Sequence, residues 1–245
     1  MAHAFDVIVV GVGSMGASAC WHLAKRGLKV LGLEQGPIPN PEASFAGATR
    51  AIRLSYTEHP DYVPLLQGAY AKWEILEEEC GEELLRLTGA LYMGPEEGDL
   101  VSGASRSAKE HDLSHSLYTH NELHQNWPQF KLPDSFVGLY EERAGYLLSE
   151  RAVEAFVKES RHHGADIRGG QMVTSWSAGN TGVKVCTGGE EYFAEHLVMA
   201  AGAWVGKLLG NLDISLRVTR QVLGWVAPAS AEHFTADRFP VWVLD

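Results

Sequence analysis

Residues 7–16 read Val7-Ile8-Val9-Val10-Gly11-Val12-Gly13-Ser14-Met15-Gly16, and this stretch decides the fold. Its first four residues are a continuous β-branched run, the pattern of a strand buried on both faces of a parallel sheet. The next six form a Gly-x-Gly-x-x-Gly turn in which each glycine has a separate job. The first permits the tight turn, the second lets a pyrophosphate approach the backbone, and the third lets helix and strand pack closely. Ser14 to Arg26 is predicted to be a helix, basic at its end and closed by Gly27. Val30 to Leu33 is predicted as a second strand, ending on Glu34. A pyrophosphate would sit on the free N–H groups at the start of the Ser14 helix. Glu34 would accept hydrogen bonds from ribose hydroxyls and repel a 2′-phosphate, which disfavours NADP. The turn alone does not choose between FAD and NAD.

Outward from this unit, Gln35 to Ala48 is a loop rich in Pro, Gly and Ala. Apolar residues at helical spacing predict a helix over Tyr62 to Glu79, stopped at Gly81. A strand is expected at Ala90 to Met93, and Thr119-His120-Asn121-Glu122 is a capping box for a short helix that stops near Pro128. Val137–Tyr140 and Tyr146–Leu148 are strand-like. Ser149 is placed as the N-cap of a helix running to His163, with Gly164 as terminator. Further strands are expected at Val173–Trp176, Val183–Cys186, Leu197–Ala201 and Val218–Val226, and the chain closes on an apolar strand, Phe239 to Asp245.

This order implies an α/β fold: a Rossmann-like dinucleotide domain in pieces, with a mainly antiparallel substrate domain inserted into it. The expected division is 1–84 and 147–213 for the first, and 85–146 and 214–245 for the second. Ending on an apolar strand suggests a chain cut before its second domain is complete.

Composition narrows the function. A formal net charge of -11 argues against nucleic acid and against an anionic membrane surface as partners. Cys20, Cys80 and Cys186 form no CxxC pair and read as reduced thiols. No basic segment precedes the short apolar run Val7–Val10, so neither a signal peptide nor a membrane span is expected, and a cytoplasmic location follows. His111, His115, His120 and His124 straddle a break between helix and strand patterns, so solvated loop histidines are expected there and no metal site.

Phe45-Ala46-Gly47-Ala48-Thr49-Arg50-Ala51-Ile52-Arg53 and Tyr62-Val63-Pro64-Leu65 carry a more specific signal. With Gly202-Ala203-Trp204, Leu208-Leu209 and Arg220-Gln221-Val222-Leu223-Gly224, they resemble the monomeric sarcosine oxidase and N-methyltryptophan oxidase family of D-amino-acid-oxidase-like flavoproteins. The resemblance runs along the whole chain. It implies FAD as cofactor, with Gly11, Gly13, Ser14, Met15 and Gly16 at the pyrophosphate and Glu34 at the adenosine ribose. It puts Thr49 and Arg50 close to the flavin, Val173 at the adenine, and Ala201, Gly202 and Trp204 over the cofactor. Arg53 matches the arginine that pairs with the substrate carboxylate, and Arg50 with Arg53 are the candidate catalytic residues. A guanidinium suits that role because its planar fork makes two charge-assisted hydrogen bonds to a carboxylate.

The resemblance further implies oxidation of the secondary amine of an N-methyl amino acid to an imine, with O2 reduced to H2O2, by a monomer. An FAD-dependent dehydrogenase using another acceptor, or a fragment that binds dinucleotide without catalysis, are the alternatives. Phe45-Ala46 stands where the family commonly has a histidine beside the flavin. The family's C-terminal part, with its flavin-linking cysteine and its oxygen-activating lysine, has no counterpart in these residues.

Overall fold

The computed structural model describes residues 5–210 and 215–245. The domain boundary expected at 213/214 and the first four residues fall outside them. In chain order the elements are β1 (Phe5–Val10), α1 (Ser14–Lys25), β2 (Val30–Leu33), β3 (Arg50–Ile52), α2 (Val63–Cys80), β4 (Leu85–Leu87) and β5 (Ala90–Pro95). Then come α3 (Asp99–Glu110), β6 (His115–Tyr118), α4 (His120–Asn126), β7 (Phe136–Glu141), β8 (Gly145–Leu147) and α5 (Ser149–His162). The chain continues with β9 (Asp166–Arg168), β10 (Val173–Gly179), β11 (Gly182–Thr187), β12 (Glu191–Met199), α6 (Val205–Leu208) and β13 (Val241–Leu244).

The described residues fall into two compact units. The first takes those within Met1–Thr49, Glu78–Glu82 and Leu148–Val222; the second takes Arg50–Glu77, Glu83–Leu147 and Leu223–Asp245. Residues 50–77, grouped by the sequence reading with the dinucleotide domain, therefore pack in the second unit.

The first unit is a sheet of order β10-β11-β12-β1-β2-β9, with β12, β1, β2 and β9 parallel and β11 and β10 antiparallel. β1 and β2 are central and nearly every residue on them is buried, as their unbroken apolar runs require. Ile8, Val10, Leu31, Leu33, Val185 and Ala194 form one core on a face of this sheet. The helices α1 and α5 pack together through the Trp21 and Phe156 rings, 5.4 Å apart. The indole N–H of Trp21 donates to Glu79 at 2.9 Å, and Lys25 pairs with the same carboxylate.

The second unit holds a sheet of order β13-β5-β7-β6, antiparallel except for the parallel pairing of β13 with β5. A smaller antiparallel sheet, β3-β8-β4, accompanies it. The expected α/β class with a mainly antiparallel second part is what the chain forms. Among the described residues, no helix is long and apolar enough to cross a membrane.

Two local expectations need correction. Ser149 does not cap α5. It is the first helical residue, Leu148 occupies the cap, and the Ser149 hydroxyl donates to the carbonyl of Gly47 at 2.7 Å. A tertiary partner has taken the hydroxyl that local sequence assigned to the helix end. Residues 218–226 form no strand and are exposed. A strand needs a neighbour for its backbone polar groups, and no described strand pairs with this stretch. The capping box is present as expected, with Glu122 N donating to Thr119 Oγ1 and Thr119 N to Glu122 Oε2.

Two outcomes follow from this packing. Ile8→Ala is expected to cost about 2–5 kcal/mol in urea denaturation, because the side chain is fully buried in the central strand. Burial pushes the Cys20 thiol up to about 12. In the native protein at pH 8 a disulfide reagent should therefore spare Cys20 and react first with Cys186, the most exposed of the three thiols.

Candidate functional site

The glycine turn is a meeting point of three backbones. Gly11 N donates to the Leu33 carbonyl at 2.8 Å, and Ala200 N donates to the Val10 carbonyl at 2.8 Å. Gly11 has φ +91, and a Cβ there would lie 2.4 Å from the Ala200 carbonyl oxygen. A Cβ on Gly16 would lie 1.8 Å from the Gly11 carbonyl oxygen. Neither position admits another residue without moving backbone. Gly13 differs: its Cβ would meet only the Phe45 ring, at 3.5 Å, and its own face borders open space. It caps α1 with no side chain across the helix end. Backbone N–H groups at such an end suit an anion.

A cavity of about 320 Å³ opens beside this turn. Gly11, Gly13, Ser14, Met15, Glu34, Val173, Ala201, Gly202 and Trp204 all line it. Nine of the sequence-predicted cofactor residues are thus brought to one wall system. Gly16 packs beneath the turn and does not line the cavity. Thr49 is an exposed residue at the end of its segment of the first unit, and Arg50 opens β3 in the second, so neither lines the cavity.

Glu34 is 5% exposed, yet its carboxylate is well satisfied. Oε2 accepts from Val12 N at 2.9 Å, while Oε1 accepts from Asn40 Nδ2 at 3.0 Å and Gly36 N at 3.2 Å. The acid therefore holds the glycine turn from within and still borders the cavity. Each carboxylate oxygen has two lone pairs, so Oε2 keeps acceptor capacity. Asn40 is itself buried and accepts Glu42 N on its carbonyl oxygen.

Asn40, Gln171, Met172 and Lys207 also line the cavity and were not singled out from sequence. Lys207 lies three residues beyond Trp204, a helical spacing that could have flagged it. Asn40 sits in a loop without periodicity, and no local signal marked it.

Arg53 lies in the second unit, half-buried. Its guanidinium stacks over the Tyr56 ring at 4.9 Å, and its Nε is buried without a hydrogen-bond partner.

Comparison with known proteins bears on this arrangement. Residues 6–245 match the family described as "DAO: FAD dependent oxidoreductase". The chain belongs to this FAD-dependent oxidoreductase family. Its cofactor is FAD. It is 36% identical over 247 aligned residues to the monomeric sarcosine oxidase of Streptomyces avermitilis, covering 100% of this chain and 64% of that protein. It is 32% identical over 241 residues to the N-methyl-L-tryptophan oxidase of Yersinia pestis (strain Pestoides F), covering 98% and 64%. The chain thus spans about two thirds of the length of these relatives. Among solved structures, the open form of NikD, described as an unusual amino acid oxidase essential for nikkomycin biosynthesis, superposes with a TM-score of 0.77 at 28% identity. That match covers 86% of this chain and 55% of NikD.

The residues present fit FAD. The tightly packed turn admits no Cβ at Gly11 or Gly16, Gly13 leaves the cavity side of the helix end open, that end carries no side-chain cap, and a buried carboxylate stands at the end of β2. Gly16→Ala is expected to abolish the flavin absorbance of the purified protein, since the added methyl must displace the Gly11 carbonyl. Asn40→Ala should weaken FAD affinity about tenfold in a fluorescence titration, the scale of one hydrogen bond to a charged group.

Proposed function

We propose that this chain is the FAD-binding portion of an amine oxidase acting on the secondary amine of an N-methyl amino acid, with sarcosine the leading substrate. The observation that carries this reading is Arg53: a buried, unpaired guanidinium nitrogen on a member of an FAD-dependent oxidoreductase family. An amino-acid carboxylate would pair with this half-buried guanidinium through charge-assisted hydrogen bonds. The names of the relatives, a sarcosine oxidase and an N-methyltryptophan oxidase, point to the same substrate class.

In this reading the backbone N–H groups of Gly13, Ser14 and Met15 receive the pyrophosphate, while Gly11 and Gly16 allow the close packing that shapes the turn. Glu34 accepts from the ribose, Val173 borders the adenine, and Ala201, Gly202 and Trp204 close over the cofactor. Thr49 and Arg50 act near the flavin ring, Arg50 as a fixed positive charge. Arg53 binds and orients the substrate carboxylate, and such orientation lowers a barrier by holding reactants in a near-attack geometry. When bound, FAD supplies the two-electron redox chemistry, taking electrons from the amine carbon and passing them to O2 as H2O2. The amine leaves as an imine, which water hydrolyses to a primary amine and an aldehyde. The overall assignment includes a monomeric state and a cytoplasmic location.

The test is a flavin spectrum of the full-length protein mixed anaerobically with sarcosine. Bleaching of the flavin band, rapid recovery on admitting air and stoichiometric H2O2 are expected. Bleaching with slow recovery would instead mark a dehydrogenase, and a protein without a flavin band would overturn the reading altogether. Arg53→Met should raise KM for sarcosine about tenfold or more, the scale of a lost charged hydrogen bond, while flavin content stays unchanged.

A further inference from the structure

The backbone around Arg53 is held in an unusual way. On its N-terminal side, Arg50, Ala51 and Ile52 are paired in register with Leu147, Tyr146 and Gly145 of β8. On its C-terminal side the chain leaves the sheet, and a single side chain takes over. Glu141, the last residue of β7, is 1% exposed. Its Oε1 accepts from Leu54 N at 2.7 Å, and its Oε2 accepts from Ser55 N at 2.8 Å and from the Tyr92 hydroxyl at 3.0 Å.

Three donors converge on this buried carboxylate, two of them from the residues directly after Arg53. Taking a carboxylate out of water costs several kcal/mol unless it is fully hydrogen-bonded. An uncharged residue of similar volume would do for packing alone, since β7 and its neighbours already form a continuous apolar core. What the charge adds is a pair of charge-assisted hydrogen bonds that hold two successive backbone N–H groups. Burial, then the Glu141 charge, push the Tyr92 phenol well above the ordinary tyrosine range, while the Arg53 charge pulls the other way. Arg53 and Glu141 thus lie within electrostatic reach of one phenol. The Arg53 guanidinium stacks on the Tyr56 ring, and its Nε has no hydrogen-bond partner among the described residues. Its aim therefore depends on the path of its own backbone.

We propose that Glu141 is the positioning residue for Arg53: by clamping Leu54 and Ser55 it fixes the direction in which the guanidinium presents itself to a ligand carboxylate. This rests on the reading of Arg53 given above. Glutamine at 141 would offer one acceptor oxygen where two backbone N–H groups and a phenol now converge, so the loop would loosen without loss of volume.

The experiment uses the flavin-loaded full-length protein and two small probes: propionate, a carboxylate without an amine, and N-methylpropylamine, an amine without a carboxylate. Binding is read by calorimetry and by perturbation of the flavin spectrum. Glu141→Gln is expected to weaken propionate about tenfold, the scale of one charge-assisted hydrogen bond, and to leave N-methylpropylamine unchanged. With substrate, KM should rise and kcat should fall, because Arg53 both binds and orients the carboxylate. Tyr92→Phe removes one donor and keeps the ring, and should shift propionate binding in the same direction by about threefold, the scale of a weaker neutral hydrogen bond. This second variant decides the matter if Glu141→Gln does not fold or load flavin. If Arg53→Met weakens propionate and neither of these variants does, the positioning role is wrong and the Arg53 assignment stands. If Arg53→Met leaves propionate binding intact, both fall together. Equal weakening of both probes would also overturn the proposal, because it would mean a general loosening of structure.

Discussion

The ends of β1, β2 and β12 converge on Gly11, and the first unit depends on how closely they approach. The Ala200 N–H reaches the Val10 carbonyl and the Gly11 N–H reaches the Leu33 carbonyl, both at 2.8 Å. That convergence leaves no room for a side chain at Gly11 and forces its left-handed φ. It sets where α1 begins, and α1 in turn packs its Gly16 onto the Gly11 carbonyl. A strand shifted by one residue would turn every buried side chain of β1 to the other face. The register of the central sheet and the shape of the cofactor cavity are therefore one constraint, not two.

Each unit is organised around a buried glutamate that collects backbone N–H groups from a loop. Glu34 takes Val12 N within the glycine turn, and Glu141 takes Leu54 N and Ser55 N beside Arg53. Both are 5% exposed or less. Carboxylates are rarely buried unless paired, and when they are, the compensating donors have to be in place before the charge is tolerable. In both cases loop amides are among the donors, joined by the Asn40 amide at Glu34 and the Tyr92 hydroxyl at Glu141, so burial of the charge goes with a loop held in one conformation. Rigid loops next to binding residues are what preorganised sites require. Gly11, Gly13 and Ser14 sit on or beside the first of these loops, and Arg53 directly precedes the second.

Much of this was legible in the sequence. The run Val7–Val10 with the glycine turn and Glu34 located the central strand, the helix and the acid, because burial on both faces leaves an unbroken apolar signature. Thr119 and Glu122 specified their capping box because that motif is local, satisfied within four residues. Ser149 misled for the same reason: its sequence context fits a cap, but Gly47 lies close in space and competes for the hydroxyl. Residues 218–226 misled because β propensity describes a surface fit to be paired, not the presence of a partner. Asn40 and Glu141 were invisible: one lies in an irregular loop, and the other looks like any polar residue at a strand end.

The sequence by itself determined the dinucleotide unit, the α/β class, and the family through the Thr49–Arg53 stretch. Those features rest on short-range chemistry: apolar period, glycine spacing, and residue types that only certain turns accept. Only the tertiary structure decided that residues 50–77 pack with the second unit, that Glu34 braces the glycine turn, and that Glu141 grips the chain after Arg53. These contacts join residues 22 and more than 80 positions apart. No local pattern encodes such pairings, because a buried carboxylate is defined by which donors reach it, and that depends on how the strands assemble.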